Sequence, residues 1–162
     1  MYLPKNYKLL IAGGVNPDSG NSQYMDEICD LIVRLDLTER VHITGYIKDD
    51  DELENIIGCS DVALYPYDVD YYKHVSSGAI GVAINTELPI VAYPADSFKE
   101  INEYMPGVIN VTSSTSYFEL AQEVKNIINN PKPNNIKDFK QKNSYLVFAQ
   151  KLLDLYSQVL AE

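Results

Sequence analysis

The stretch Asp61–Ala92, DVALYPYDVDYYKHVSSGAIGVAINTELPIVA, decides the fold. It opens with a short apolar run, Asp61–Tyr65, stopped by Pro66, and closes with another, Pro89–Ala92. Between them Ser76–Asn85 reads as a helix with small residues at its start. Strand, helix, strand at this spacing predicts a crossover unit with two parallel strands and a right-handed connection. Neither run alternates apolar with polar residues, the pattern expected when helices cover both faces of a sheet.

Outward from this unit the alternation continues. Upstream, Tyr7–Ala12 (YKLLIA) is a strand that ends at Gly13-Gly14, and a loop rich in Asn, Pro, Asp, Ser and Gly runs on to Ser22. Ile28, Leu31, Ile32 and Leu35 then fall at the spacing of one helix face. Val41–Thr44 is a strand stopped by Gly45, and Leu53, Ile56 and Ile57 mark a short helix. Downstream come a helix over Phe98–Tyr104, a strand over Val108–Val111, and a helix face formed by Leu120, Val124, Ile127 and Ile128. This order predicts an α/β fold: a doubly wound parallel sheet in a Rossmann-like three-layer sandwich, one domain over residues 1–162. The breaker cluster Pro131-Lys132-Pro133-Asn134-Asn135 sets off a C-terminal helical tail, residues 136–162. There Tyr145, Ala149, Leu152, Leu153, Tyr156 and Leu160 mark a long amphipathic helix, packed on its own domain or on a partner domain.

Composition bounds the function. Hydrophobic residues make up 46% of the 162, enough for one domain with a core. No apolar run reaches the roughly 18 residues of a membrane span. The N-terminus lacks the basic-then-apolar order of a secretory signal, so a cytoplasmic location is expected. The net charge of −10, without a basic stripe, argues against nucleic acid and anionic lipid as partners. A nucleotide ligand stays open, because backbone N–H groups can hold phosphate. The acid run Asp49, Asp50, Asp51, Glu52 reads as a solvated helix start, where negative charge suits the helix dipole. Cys29 and Cys59 have no metal-type spacing and read as reduced, packed thiols.

Ligands of open α/β sheets bind beyond the carboxyl ends of the strands. That rule selects four loops: Gly13–Asn21, Gly45–Lys48, Pro66–Ser77 and Tyr93–Ser97. The third carries Tyr67, Tyr71 and Tyr72 just after Tyr65, then His74, then Ser76-Ser77-Gly78 opening a helix. A first helical turn has unpaired N–H groups and a partial positive charge, and small residues let an anion approach. Ser76 or Ser77 would serve there as part of an anion cradle, or simply as a helix cap. His74 either hydrogen-bonds a ligand or packs, and the tyrosines either pack or line a pocket for a ring. His42 lies in a strand pattern and reads as structural. Gly13-Gly14-Val15-Asn16 does not continue as G-x-G-x-x-G, which disfavours nicotinamide and suits a turn with close backbone approach. No Walker-type lysine or nucleophile elbow is present, and no catalytic residue is identified.

The ordered series YKLLIAGG, RVHITGYI, DVALYPY, SSGAIGVAINTELPIVA and FELAQEVKNII resembles the C-terminal, donor-binding domain of retaining glycosyltransferases of the GT-B fold, family 4. The resemblance covers roughly Tyr7 to Ile128. It implies a nucleotide-diphosphate sugar donor and hexosyl transfer to an acceptor. By position Gly45, Tyr46 and Ile47 match the segment near the base. Pro66 and Tyr67 match the start of the donor loop. His74, Val75, Ser76, Ser77, Gly78 and Ala79 match the loop and helix start that face sugar and diphosphate, and Gly13 and Gly14 match the turn bordering the donor cleft. Neither a metal nor a cofactor is implied, because cationic side chains and helix N-termini stabilise the leaving diphosphate.

Two departures stand out. The family places two glutamates around the donor loop. Aligning on Pro89 puts His74 and Val82 there, and aligning on Gly78 puts Val75 and Ala83. The chain is closer to relatives with a Ser-Gly-Ala type loop, in which donor contacts would fall to His74, Asp70 or the backbone. Second, the family's phosphate-binding Arg and Lys lie before the strand matching Tyr7–Ala12, which only six residues precede here. The expectation is therefore an excised piece, or a subunit that needs an N-terminal GT-B domain or partner, inactive alone because both substrates must be positioned together. The alternatives are a non-catalytic GT-B-like protein-interaction module and half of a sugar-nucleotide epimerase.

Overall fold

The computed structural model describes residues 2–16, 22–73, 78–131 and 134–160. Its elements alternate as expected: β1 (Leu9–Ile11), α1 (Gln23–Arg34), β2 (Val41–Ile43), α2 (Asp50–Gly58), β3 (Ala63–Tyr65), α3 (Gly78–Asn85), β4 (Ile90–Ala92), α4 (Asp96–Tyr104), β5 (Ile109–Val111), α5 (Tyr117–Asn129), α6 (Ile136–Lys142) and α7 (Tyr145–Val159). A 3-10 turn, Tyr71–Lys73, lies between β3 and α3. Each strand is shorter than the apolar run that announced it.

All described strands run parallel. β1 pairs with β2, Leu10 opposite His42. β3, β4 and β5 form a second sheet in that order, with Leu64 opposite Val91 and Val91 opposite Asn110. The architecture is α/β, compatible with a Rossmann-like sandwich.

The core sits on one side of this arrangement. Ile90, Val91 and Ala92 of β4 are fully buried, and Phe98, Val108, Ile109 and Ile136 pack with Ile90 and Ala92. Burying each such large apolar side chain contributes about 1.5–3 kcal/mol. By contrast α1, α2, β1 and β2 contain no fully buried residue. The predicted face of α1 is only partly right. Met25, Ile28 and Ile32 are half-buried, whereas Leu31 and Leu35 are exposed, so the packed stripe lies nearer the helix start.

The acid run behaves as a helix start: the Asp49 side chain caps α2 by accepting from the Glu52 N–H at 2.8 Å. The cysteines do not pack. Cys29 lies on the outer side of α1 and Cys59 at the end of α2, both free and exposed, because the half-buried positions of these helices go to aliphatic neighbours. His42 stands exposed on β2.

The tail contains an additional helix. In α6 Ile136 is fully buried, and Lys140 ties the helix to the end of α3 through the Asn85 carbonyl (2.9 Å) and Glu87 (3.2 Å). α7 differs: none of its residues is buried, and Tyr145, Leu146, Phe148, Leu153 and Val159 are all well exposed. Among the described residues no helix is long and apolar enough to cross a membrane.

Candidate functional site

Two groups of residues gather at the carboxyl ends of the strands. The first is built from Gly13, Gly14, Gly45 and Tyr46. Gly13 and Gly45 form an isolated antiparallel bridge just past β1 and β2. Both have positive φ, 130° and 79°, which glycine adopts without strain. Thr44 ties the two turns together. Its Oγ1 accepts from the Gly13 N–H at 2.9 Å and donates to the Gly45 carbonyl at 3.0 Å. Gly14 runs so close to Gly45 and Tyr46 that only backbone fits between them. The result is an edge made of main chain, with the exposed Tyr46 ring beside it and Ile47 half-buried.

The second group is a chain of aromatic rings past β3. Tyr67 stacks on Tyr72 with centroids 4.3 Å apart at 23°. Tyr65 meets Tyr67 edge-on at 5.4 Å, and Phe98 closes the inner end against both. Tyr71 meets Tyr72 at 5.0 Å and 69° and is the one strongly exposed ring of the set. The local cause is Asp68, whose Oδ1 accepts from the backbone N–H groups of Asp70 (2.9 Å) and Tyr71 (3.1 Å) and so starts the 3-10 turn. Three of the tyrosines are thus packing residues, and Tyr71 alone offers a free face. Pro66 and Asp70 are exposed at the rim.

The Tyr65 hydroxyl donates to the Ala79 carbonyl at 2.7 Å, tying β3 to the first turn of α3. Burial, reinforced by the nearby Tyr67, pushes the Tyr65 pKa up to about 12, so the phenol stays a donor. Burial also raises Tyr72, together with Tyr67 and Tyr71, and raises Tyr93 in the loop after β4. In the first turn of α4 the Ser97 hydroxyl is buried without a hydrogen-bond partner among the described residues.

Gly78 and Ala79 open α3 and are exposed. They border a groove of about 520 Å³ shared with α2, where Asp50, Leu53 and Glu54 form the other wall. Asn85 Nδ2 closes one end by donating to Glu54 Oε1 at 2.7 Å. His74, Val75, Ser76 and Ser77, the expected cradle, lie outside the described residues. Gly13, Gly14, Gly45 and Tyr46 are therefore brought together, and Tyr67 is tied through Tyr65 to Ala79. Among the described residues no group of three or more His, Cys, Asp or Glu is placed to hold a metal ion.

Sequence reasoning missed Thr44 and Asp68. Thr44 ends a strand and Asp68 sits two residues after a proline, both signals of a side chain bonding to nearby backbone. No protein-family model, curated protein or solved structure matches this chain.

Proposed function

We propose that the chain is the donor-binding half of a glycosyltransferase that takes a sugar from a nucleotide-diphosphate sugar. The observation that carries this reading is the main-chain edge Gly13-Gly14/Gly45-Tyr46 at the carboxyl end of parallel strands. An edge without side chains lets a flat or anionic ligand approach backbone N–H groups closely. Tyr46 would flank the base, the exposed face of Tyr71 would border the sugar, and the start of α3 would face the diphosphate. In this reading transfer needs an acceptor-binding domain opposite the edge, since one half positions one substrate.

Titration with uridine- and guanosine-diphosphate sugars, followed by amide NMR, tests the proposal. Saturable shifts at Gly13, Gly45 and Tyr46, with a Kd of about 0.1–1 mM, are expected. Absence of any shift with either class of nucleotide sinks it.

A second reading, a non-catalytic module that binds another protein, is favoured by the exposed apolar surface of α7. It predicts that a bound partner protects the α7 amides while Gly13 and Gly45 stay unperturbed by nucleotides.

A further inference from the structure

At the opposite end of the sheet lies a cavity of about 340 Å³. Asp61, Pro89 and Gly107 line it from the segments just before β3, β4 and β5. The strands are three residues long, so this end is about 10 Å from the carboxyl edge and forms a separate place in the fold.

Four carboxamides line the cavity: Asn110 on β5, Asn126 on α5, Asn130 just after α5 and Asn134 before α6. Bonds within the protein fix their orientation. Asn110 Nδ2 donates to the Ile90 carbonyl at 3.0 Å. Asn134 Nδ2 donates to the Glu87 carbonyl at 3.2 Å, and its Oδ1 accepts from the Ile136 N–H at 3.2 Å. Asn130 Nδ2 leans on Asn126 Oδ1 at 3.4 Å. Asn110 Oδ1, Asn126 Nδ2 and Asn130 Oδ1 have no hydrogen-bond partner among the described residues. Pro131 and Ile127 add carbon surface. No described lining residue is Lys or Arg, and Asp61 is the lone carboxylate.

We propose that this cavity binds a neutral polyhydroxylated ring, a single sugar unit. A sugar hydroxyl both donates and accepts, and a carboxamide offers both without charge. The C–H face of the ring packs on the proline and isoleucine carbons. A phosphate finds no cation among the described walls, and an ammonium group finds only Asp61. The volume lies at the small end of ligand sites, where one ring rather than an oligomer fits. This site is independent of the donor edge, because none of its lining residues belongs to that edge.

The test uses the whole chain, labelled with ¹⁵N, and three free sugars: glucose, mannose and N-acetylglucosamine. Each is titrated to about 50 mM, enough to saturate a weak site with a Kd of about 1–10 mM. Saturable shifts of the Asn110, Asn126 and Asn130 side-chain amides with at least one sugar are expected, with Gly13 and Gly45 unmoved. Asn126→Ala and Asn130→Ala, both at exposed positions, should each weaken binding about five- to tenfold while leaving the β3–β5 backbone resonances in place. Absence of saturable shifts with all three sugars overturns the proposal. Unchanged affinity in both variants overturns it as well, and so does displacement of the sugar by inorganic phosphate. Because free sugars carry no nucleotide, failure here leaves the donor reading intact.

Discussion

Gly14 and Gly45 approach so closely that a β-carbon on Gly14 would fall 2.7 Å from the Gly45 carbonyl carbon and 2.8 Å from the Tyr46 nitrogen. No rotamer relieves such a contact, because both atoms struck are backbone. Gly14→Ala should therefore force the two turns apart and destabilise the protein by about 1–3 kcal/mol. Under the donor reading it should also abolish the nucleotide-induced shifts at Gly45. Gly81, inside α3, meets nothing within 4 Å. Gly81→Ala should stabilise by up to about 1 kcal/mol. Urea unfolding of the two variants beside the parent measures both signs, and a harmless Gly14→Ala would refute the close approach.

The ring chain makes a graded prediction. Phe98 is 1% exposed and touches Tyr65 and Tyr67, so Phe98→Ala should cost about 3–5 kcal/mol. Tyr65→Phe keeps the ring and removes only the bond to the Ala79 carbonyl, for about 1 kcal/mol. Ultraviolet titration should find one tyrosine ionising near pH 12 that disappears in Tyr65→Phe.

Glu119 gives the pH dependence. Its carboxylate accepts from the Ser113 N–H at 2.6 Å and from Ser114 through both N–H and hydroxyl. These bonds, the Ser113 N–H first, lower its pKa from 4.5 to about 2. A depressed carboxylate stabilises the fold above its unfolded value and loses that contribution as pH falls through the folded one. Glu119→Gln should therefore melt lower than the parent at pH 6. The gap should close between pH 4.5 and about 2. A gap that stays constant over that range would contradict the role given to these hydrogen bonds. Glu119 is half-buried at the surface and its partners Ser113 and Ser114 are exposed, so salt should narrow the difference.

Cys29 and Cys59 are both free and exposed. Ellman's reagent should label both thiols in the native protein, without denaturant. Labelling that requires urea would restore the packed arrangement read from the sequence.

The element order was legible because Asp61–Ala92 and its flanks keep period, length and breakers in agreement. Burial was less so. Leu31 and Leu35 fit a helix face by spacing, yet they are exposed and α1 half-buries Met25, Ile28 and Ile32 instead, a choice spacing alone does not make. Helix α6 escaped because a short, lysine-rich segment has only Ile136 and Phe139 as apolar anchors. In the candidate site the glycines were readable, since Gly-Gly after a strand leaves few conformational options. The aromatic packing was not, because the inner partner, Phe98, lies far along the chain from Tyr65. The asparagine cavity was only half-visible: Asn126, Asn130 and Asn134 stand close together in sequence, but Asp61, Pro89, Gly107 and Asn110 come from distant segments.

Helix α7 has a kinetic consequence. Its amides are held within the helix and by its own Ser144 cap, not by burial. A helix of 15 residues held only by itself is marginal in water. Its amides should exchange with deuterium through local opening, orders of magnitude faster than those of Ile90 and Val91. A melting curve then reports on the β3–β5 block, while the last helix unravels and re-forms on its own clock.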